Sequence, residues 1–239
     1  MTTAVSGPLQ MTMDSGRATR PYRIALLNPN TSRRSTELMM ASAWAAAPAG
    51  VHVEGRTVLT GSEFIADQAT LQLASQAVLA QAPALADEGF DAIIVAGFGD
   101  PGVAALRQSL ALPVTGLGEA GIAEAANDGL RFAIVTVTPD LHDSLVVAAH
   151  AAASPAQFAG VHYTSGDMNT LMRHPAQLQR ALLQACRDAV VRDSVQSIVI
   201  GGGPLAHAAQ NIAAQLQIRV VDPVCAAVRL ACRRAGLTS

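Results

Sequence analysis

Four short loops hold the residues of this chain that are best suited to chemistry. Two are rich in glycine, AGFGDPG at residues 96–102 and GGGPL at residues 201–205, and two are polar, NPNTS at residues 28–32 and TVTP at residues 136–139. Glycine lets a backbone approach a ligand closely, and exposed N–H groups in such turns can bind an oxyanion or a developing thiolate. The hydroxyl and amide groups of the polar loops suit a carboxylate or a ring carbonyl. These loops therefore predict a site for a small polar molecule.

Nine residues of these loops are our candidates for binding the ligand: Asn30, Thr31, Ser32, Gly97, Phe98, Thr136, Thr138, Gly202 and Gly203. Either Thr31 or Ser32 is also a natural helix N-cap, since a hydroxyl there accepts a hydrogen bond from a free helix N–H. Thr136 is favoured over Thr138 as a partner for a ring carbonyl or N–H, although both are ordinary β-branched strand residues as well.

Three titratable side chains near the loops are candidates for acid–base catalysis. His207 follows the second glycine turn, on the first turn of a predicted helix, and an imidazole suits a general base near neutral pH; the alternative is a surface histidine. Asp100 is alternatively a cap within its turn, and Glu119 a structural carboxylate at a helix end. No metal site is predicted, because the three cysteines lack ligand-type spacing.

Alternating strand and helix patterns must position these loops. Apolar runs at residues 23–27, 91–96, 131–137 and 197–200 each lead into one of the loops, and a helical pattern follows. Continuous apolar strands separated by helices are typical of parallel sheets covered on both faces, with ligands beyond the carboxyl ends of the strands. We predict an α/β fold of two pseudo-symmetric parallel-sheet lobes with the site in the cleft between them. Lobe 1 comprises residues 21–115 and 218–239, lobe 2 comprises residues 116–217, and residues 1–20 form a disordered tail.

Composition narrows the class of partner. Of 239 residues, 16 are Lys or Arg and 18 are Asp or Glu, and no basic face stands out, which argues against nucleic acid. No apolar run approaches the ~20 residues of a membrane span, and residues 1–20 lack the apolar core of a signal peptide. We therefore expect a cytoplasmic protein with a small-molecule substrate and no membrane partner.

The four loops, together with PVTGLGEA at residues 113–120 and VDPV at residues 221–224, resemble the hydantoin racemases of the aspartate/glutamate racemase superfamily. The motifs occur in family order across residues 23–230. The resemblance implies a cofactor-independent homo-oligomeric enzyme that holds a small carboxylate or cyclic ureide between its lobes. In the family, two cysteines on opposite faces of the substrate exchange the α-proton. Matched motif by motif, these cysteines fall on Gly97 and Gly202.

Three functions remain open. The first is hydrolytic desulfurisation of a thiohydantoin carrying a carboxylate, a desulfhydrase reaction in which water attacks the ring, the large sulfur uses the space that the missing thiols vacate, and the glycine turns stabilise the adduct. The second is a hydantoin or amino-acid racemase that uses His207, Asp100 or Glu119 as bases, since the α-proton of a hydantoin is unusually acidic. The third is an inactive ureide-binding protein. Exchange of the ring proton with solvent deuterium separates the first two.

Overall fold

Two parallel four-stranded sheets form the frame of the molecule, which a computed structural model describes for residues 20–237. The strands of the first half are β1 (Tyr22–Asn28), β2 (Val51–Thr57), β3 (Ala92–Val95) and β4 (Val114–Gly116). Those of the second half are β5 (Phe132–Thr136), β6 (Phe158–Tyr163), β7 (Ser197–Ile200) and β8 (Arg219–Val221). The orders are β2-β1-β3-β4 and β6-β5-β7-β8. Because the two orders match, the predicted pseudo-symmetric α/β fold is confirmed.

Within residues 20–237, ten α-helices cover the sheets. They are α1 (Arg33–Ala46), α2 (Gln68–Ala80), α3 (Ala82–Asp87), α4 (Val103–Ser109), α5 (Leu117–Ala125), α6 (His142–Ala152), α7 (Met168–Arg173), α8 (Pro175–Asp193), α9 (Ala206–Ala213) and α10 (Pro223–Arg234). The caps follow local sequence: the Ser32 hydroxyl accepts from the Ser35 N–H at the start of α1, and Asp222 accepts from two N–H groups at the start of α10. No helix of the described range has the length and apolar character that a membrane crossing requires.

The central strands are buried on both faces. In β1, Ile24 and Leu26 belong to a core between the two sheets, whereas Ala25 and Leu27 face α2, α3 and α4 on the outside. The core between the sheets is built on α1, α5 and α10, and it also takes residues from β3, β5 and β7. A third cluster packs the outer face of the second sheet against α8 and α9. Double burial of this kind explains the continuous apolar strands.

The observed sheets divide the chain differently from the predicted lobes at one point. We expected residues 218–239 to join lobe 1, but β8 pairs with β7 in the second sheet. Only α10, which follows it, packs on the helices between the sheets. The predicted tail at residues 1–20 lies outside the described residues except for Arg20, whose guanidinium pairs with Asp91.

Candidate functional site

The carboxyl ends of β1, β3, β5 and β7 open onto one cavity between the two sheets. Its empty space is about 670 Å³ when the open mouth is counted, and the centre of a water molecule can occupy about 80 Å³ of it. The two glycine turns contribute residues 97–99 and 201–205 to its lining. An apolar wall completes the lining: Phe64, Ile65, Leu71, Val137, Leu141, Leu145, Met168 and Met172.

Titratable groups are missing from this lining. Among the described residues that line the cavity, none carries a carboxyl, imidazole, amine, guanidinium or thiol group, and the polar side chains there are Asn30 and Thr138. The described range also contains no cluster of three His, Cys, Asp or Glu side chains suited to a metal ion. An anion in the cavity would thus be bound by backbone N–H groups rather than by a cation.

Asn30 is held rigidly by its neighbours. Its Oδ1 accepts hydrogen bonds from Nδ2 of Asn28 and from the backbone N–H of Ser32, both at 3.0 Å. The side chain is buried, with 7% of the residue exposed, and its Nδ2 has no acceptor among residues 20–237. Asn30 therefore presents an amide donor to the cavity.

Thr138, rather than the favoured Thr136, lies at the cavity surface. Thr136 is fully buried behind it and donates a hydrogen bond of 2.6 Å to the carbonyl oxygen of Gly201. The two hydroxyl oxygens are 3.2 Å apart. The preference for Thr136 failed because residues i and i+2 of a strand end are equally polar in sequence, and only the fold decides which one faces the ligand.

Both glycine turns offer backbone N–H groups. Gly97, Phe98 and Gly99 line the cavity, and their N–H groups bond to no acceptor within the described part of the chain. In the second turn the same holds for Gly203, whereas the N–H of Gly201 is used in a bond of 2.7 Å to Val135. These free donors make the turns suitable for a developing negative charge.

Neighbouring residues fill the space beside Gly97 and Gly202. A Cβ on Gly97 would lie 2.7 Å from Cγ of Pro29, and a Cβ on Gly202 would lie 3.0 Å from Cδ1 of Leu205. Our expectation of vacated side-chain space on both sides of the ligand is therefore wrong. The room for a ligand lies further out, against the apolar wall.

Asp100 holds the first turn onto α5 instead of facing the cavity. Its two carboxylate oxygens accept hydrogen bonds from the N–H groups of Gly118 and Glu119, at 2.7 and 2.8 Å. Burial outweighs these bonds and raises the pKa of the carboxyl to about 7. A Cβ on Gly118 would collide with the carbonyl oxygen of Phe98, so glycine is required for this close contact.

Glu119 belongs to an ion-pair cluster outside the cavity lining. Its Oε1 accepts from Arg107 at 2.5 Å, from Arg234 at 2.8 Å and from the N–H of Gly116 at 3.0 Å. Although burial raises the pKa of this carboxyl, these donors hold it below its ordinary value. The contacts account for Glu119 as a structural carboxylate that joins α4, α5 and α10.

His207 also lies outside the cavity lining. Its Nδ1 donates a hydrogen bond of 2.8 Å to the carbonyl oxygen of Pro204, within its own turn. Thr31 and Ser32 are likewise absent from the lining, and Ser32 serves as the cap of α1. Of the twelve predicted site residues, the structure brings together Asn30, Gly97, Phe98, Thr138, Gly202 and Gly203 around the cavity.

The cysteines are buried away from the cavity. Burial raises the pKa of Cys186 to about 12, and burial together with Asp222 raises that of Cys225 to about 12. Cys232 is buried in the core between the sheets, where desolvation raises its pKa as well. A thiol with a raised pKa is a poor nucleophile and base at neutral pH.

Sequence reasoning missed the apolar wall. Phe64 and Ile65 come from the loop after β2, while Met168 and Met172 come from α7, which follows β6. The signal that was available is their position: large apolar residues in polar segments that leave the carboxyl ends of two strands.

Comparison with known proteins places these features in a family. The model of the Asp/Glu/Hydantoin racemase family matches residues 24–231. A hydantoin racemase of Paenarthrobacter aurescens is 28% identical over 215 residues, which are 87% of this chain and 89% of that protein.

Superposition of solved structures on this chain supports the same family. The allantoin racemase of Klebsiella pneumoniae superposes with a TM-score of 0.84 at 31% identity, over 90% of this chain and 89% of that one. The allantoin racemase of Pseudomonas fluorescens gives 0.83 at 29% identity, over 90% and 92%. Sequence and fold thus lead to one conclusion: the chain belongs to the Asp/Glu/hydantoin racemase family.

Proposed function

We propose that this chain is a cofactor-independent enzyme that binds a small cyclic ureide in the cavity between its sheets and hydrolyses the thiocarbonyl of a 2-thiohydantoin. The observation that carries the proposal is the lining, which combines free backbone N–H groups with no titratable side chain among the described residues. Racemisation at a ring carbon needs a group that removes the proton and a group that returns one on the opposite face, whereas attack at a thiocarbonyl needs stabilisation of the adduct.

The proposed reaction uses the substrate's own sulfur as the proton acceptor. The water oxygen forms a bond to C2, and the electron pair of the C=S π bond moves to sulfur. One water proton passes to that sulfur. As the C–S bond breaks, its electron pair stays on sulfur, C2=O forms, and the second proton passes from the new oxygen to the departing sulfur to give hydrogen sulfide. Water and thiohydantoin thus give hydantoin and hydrogen sulfide without any change in oxidation state.

The lining residues have defined parts in this proposal. The N–H groups of Gly97, Phe98 and Gly99 stabilise the charge of the adduct. The free N–H of Gly203 in the opposite turn remains for the carboxylate that we expect on the substrate, since the described lining supplies no cation. Met168 and Met172 supply a soft apolar surface, which suits a thiocarbonyl sulfur better than it suits an oxygen.

Racemisation of a hydantoin is the second candidate, and family membership favours it. Its difficulty is the source of the two bases. His207, Asp100 and Glu119 are all absent from the cavity lining and engaged in hydrogen bonds, so a racemase would need water held by Asn30 or Thr138 to carry the proton.

The test follows two products in one sample. The purified protein is incubated in deuterium oxide with paired 5-substituted hydantoins and 2-thiohydantoins, with and without a carboxylate in the substituent. We expect sulfide release without obligatory deuterium at C5. Deuterium without sulfide would establish the racemase, and binding without either product would establish a ureide-binding protein.

A matched pair of variants ties the activity to the cavity. Met168→Trp fills part of the cavity and should lower turnover at least tenfold, about 1.4 kcal/mol in the barrier. Asn169→Trp places the same side chain at the next, exposed position of α7 and should leave turnover unchanged. Equal turnover rates in the two variants would show that the reaction does not take place in this cavity.

A further inference from the structure

The two ends of the central strands are equivalent by backbone geometry. The N–H of Val58 donates to the carbonyl oxygen of Asn28 at 3.2 Å, and the N–H of Thr164 donates to that of Thr136 at 3.0 Å. Asn28 ends β1 and Thr136 ends β5, each the second strand of its sheet. Asn28 therefore corresponds to Thr136.

The same correspondence extends to the cavity surface. Two residues after Asn28 comes Asn30, and two residues after Thr136 comes Thr138; both line the cavity. In each lobe the strand-end residue hydrogen-bonds to the side chain that lines the cavity. The two lobes thus carry the same pair of positions, a strand-end residue and the cavity residue two positions after it, with different side chains.

In the first lobe, this pair presents a hydrogen-bond donor to the cavity. The backbone N–H of Asn30 donates to Oδ1 of Asn28, which fixes that amide and turns its Nδ2 towards Oδ1 of Asn30. The N–H of Ser32 donates to the same Oδ1. Because only an oxygen can accept from these two N–H donors, the free end of Asn30 is its NH₂ group.

In the second lobe, the corresponding pair presents a hydrogen-bond acceptor to the cavity. The carbonyl oxygen of Gly201 can only accept, so the single hydroxyl proton of Thr136 is used in the bond to it. In the contact of 3.2 Å between the two threonine hydroxyls, Thr138 is then the donor, because the proton of Thr136 is already used. What Thr138 presents to the cavity is a pair of oxygen lone pairs.

We propose that the two lobes bind the substrate ring in one orientation, with a ring carbonyl or thiocarbonyl on the Asn30 amide and a ring N–H on the Thr138 oxygen. This rests on the proposed ureide substrate. Asn28 and Thr136 are positioning residues, since they set the polarity of the groups that touch the ligand. The pseudo-symmetry of the fold is broken at this pair, so a ring placed with its N–H at Asn30 and its carbonyl at Thr138 meets donor against donor and acceptor against acceptor.

The first test measures binding of three rings by calorimetry: hydantoin, oxazolidine-2,4-dione, in which oxygen replaces one ring N–H, and 3-methylhydantoin, in which the other is masked. Thr138→Val should weaken hydantoin binding about tenfold and Thr138→Ser much less, because serine keeps the acceptor. For the ring that lacks the recognised N–H, Thr138→Val should cause no further loss. Thr138→Ala replaces the valine variant if that one does not fold.

The second test addresses positioning. In Thr136→Val the hydroxyl of Thr138 is free to rotate and to donate, so the preference for hydantoin over the ring without the recognised N–H should fall, while Thr136→Ser should restore it. A merely structural role of Thr136 would weaken all three rings equally and leave the preference unchanged. Thermal melting of each variant accompanies the titrations.

The outcomes separate the orientation from the reaction. Unchanged hydantoin affinity in Thr138→Val, or an unchanged preference in Thr136→Val, overturns the orientation. If the wild type binds the rings but releases neither sulfide nor deuterium, the proposed reaction fails and the affinity ratios still decide the orientation. If the wild type binds none of the rings, the proposed ureide substrate and the proposed ring orientation are both wrong.

Discussion

Gly97 and Gly202 are packed so closely that a side chain at either position requires its neighbours to move. Pro29 beside Gly97 is a rigid ring, whereas Leu205 beside Gly202 can change rotamer. We therefore expect Gly97→Cys to lower the free energy of unfolding by about 1–3 kcal/mol and Gly202→Cys to lower it less. Urea-induced unfolding of the two variants measures the difference.

Pro29→Ala in the Gly97→Cys background is the control for this packing effect. Removing the Pro29 ring should recover part of the lost stability, since the Pro101 ring stays 3.1 Å from the new Cβ. A Gly97→Cys variant as stable as the wild type would contradict the contact. Adding Gly202→Cys to this background of Pro29→Ala and Gly97→Cys tests the chemistry. If thiols alone are missing, the folded variant with cysteine at both glycine positions should exchange the C5 proton of a hydantoin with deuterium.

Substitution of His207 gives a further prediction at the residue scale. Its ring is engaged with the Pro204 carbonyl and is not part of the cavity lining. His207→Ala should therefore change kcat by less than twofold, measured by steady-state kinetics on the best substrate. A tenfold fall would return His207 to the mechanism as a base that reaches the ligand in another conformation.

At the scale of elements, Asp100 links the first glycine turn to the N-terminus of α5. The residue has φ of +49°, a left-handed conformation that Asp tolerates better than most residues. Its raised pKa means that the folded state holds a proton which the unfolded chain releases between about pH 4 and 7. The free energy of unfolding should therefore fall as pH rises through this range, by at most about 1.4 kcal/mol per pH unit.

Asp100→Asn removes this titration, so its stability relative to the wild type should rise from pH 5 to pH 7.5. Denaturant unfolding at a series of pH values measures the difference. Asp140→Asn, at an exposed position, is the matched control and should show no such trend. Parallel pH profiles for the wild type and Asp100→Asn would show that the carboxyl titrates at its ordinary pKa.

The whole molecule shows which parts of the site were predictable. The sheets and the meeting of four loops followed from apolar runs that end in glycine or polar turns, because parallel strands end at one edge. The choice between Thr136 and Thr138, and the engagement of Asp100 and Glu119 elsewhere, depended on contacts between residues far apart in the chain. Sequence patterns carry no information on such contacts. The expected homo-oligomer and the cytoplasmic location stay predictions.

The core between the sheets has a consequence for the molecule as a unit. The core formed by α1, α5 and α10 includes Ile24 and Ile94 of the first sheet and Ile134 and Val199 of the second, all fully buried. The helices between the sheets pack on one another and cover both inner faces, so this layer loses one covered side if either sheet unfolds. We therefore expect the two lobes to unfold together in a single transition, with equal calorimetric and van't Hoff enthalpies. Two resolved transitions, or hydrogen exchange that opens β5 and β7 well before β1 and β3, would show instead that the lobes unfold as independent units.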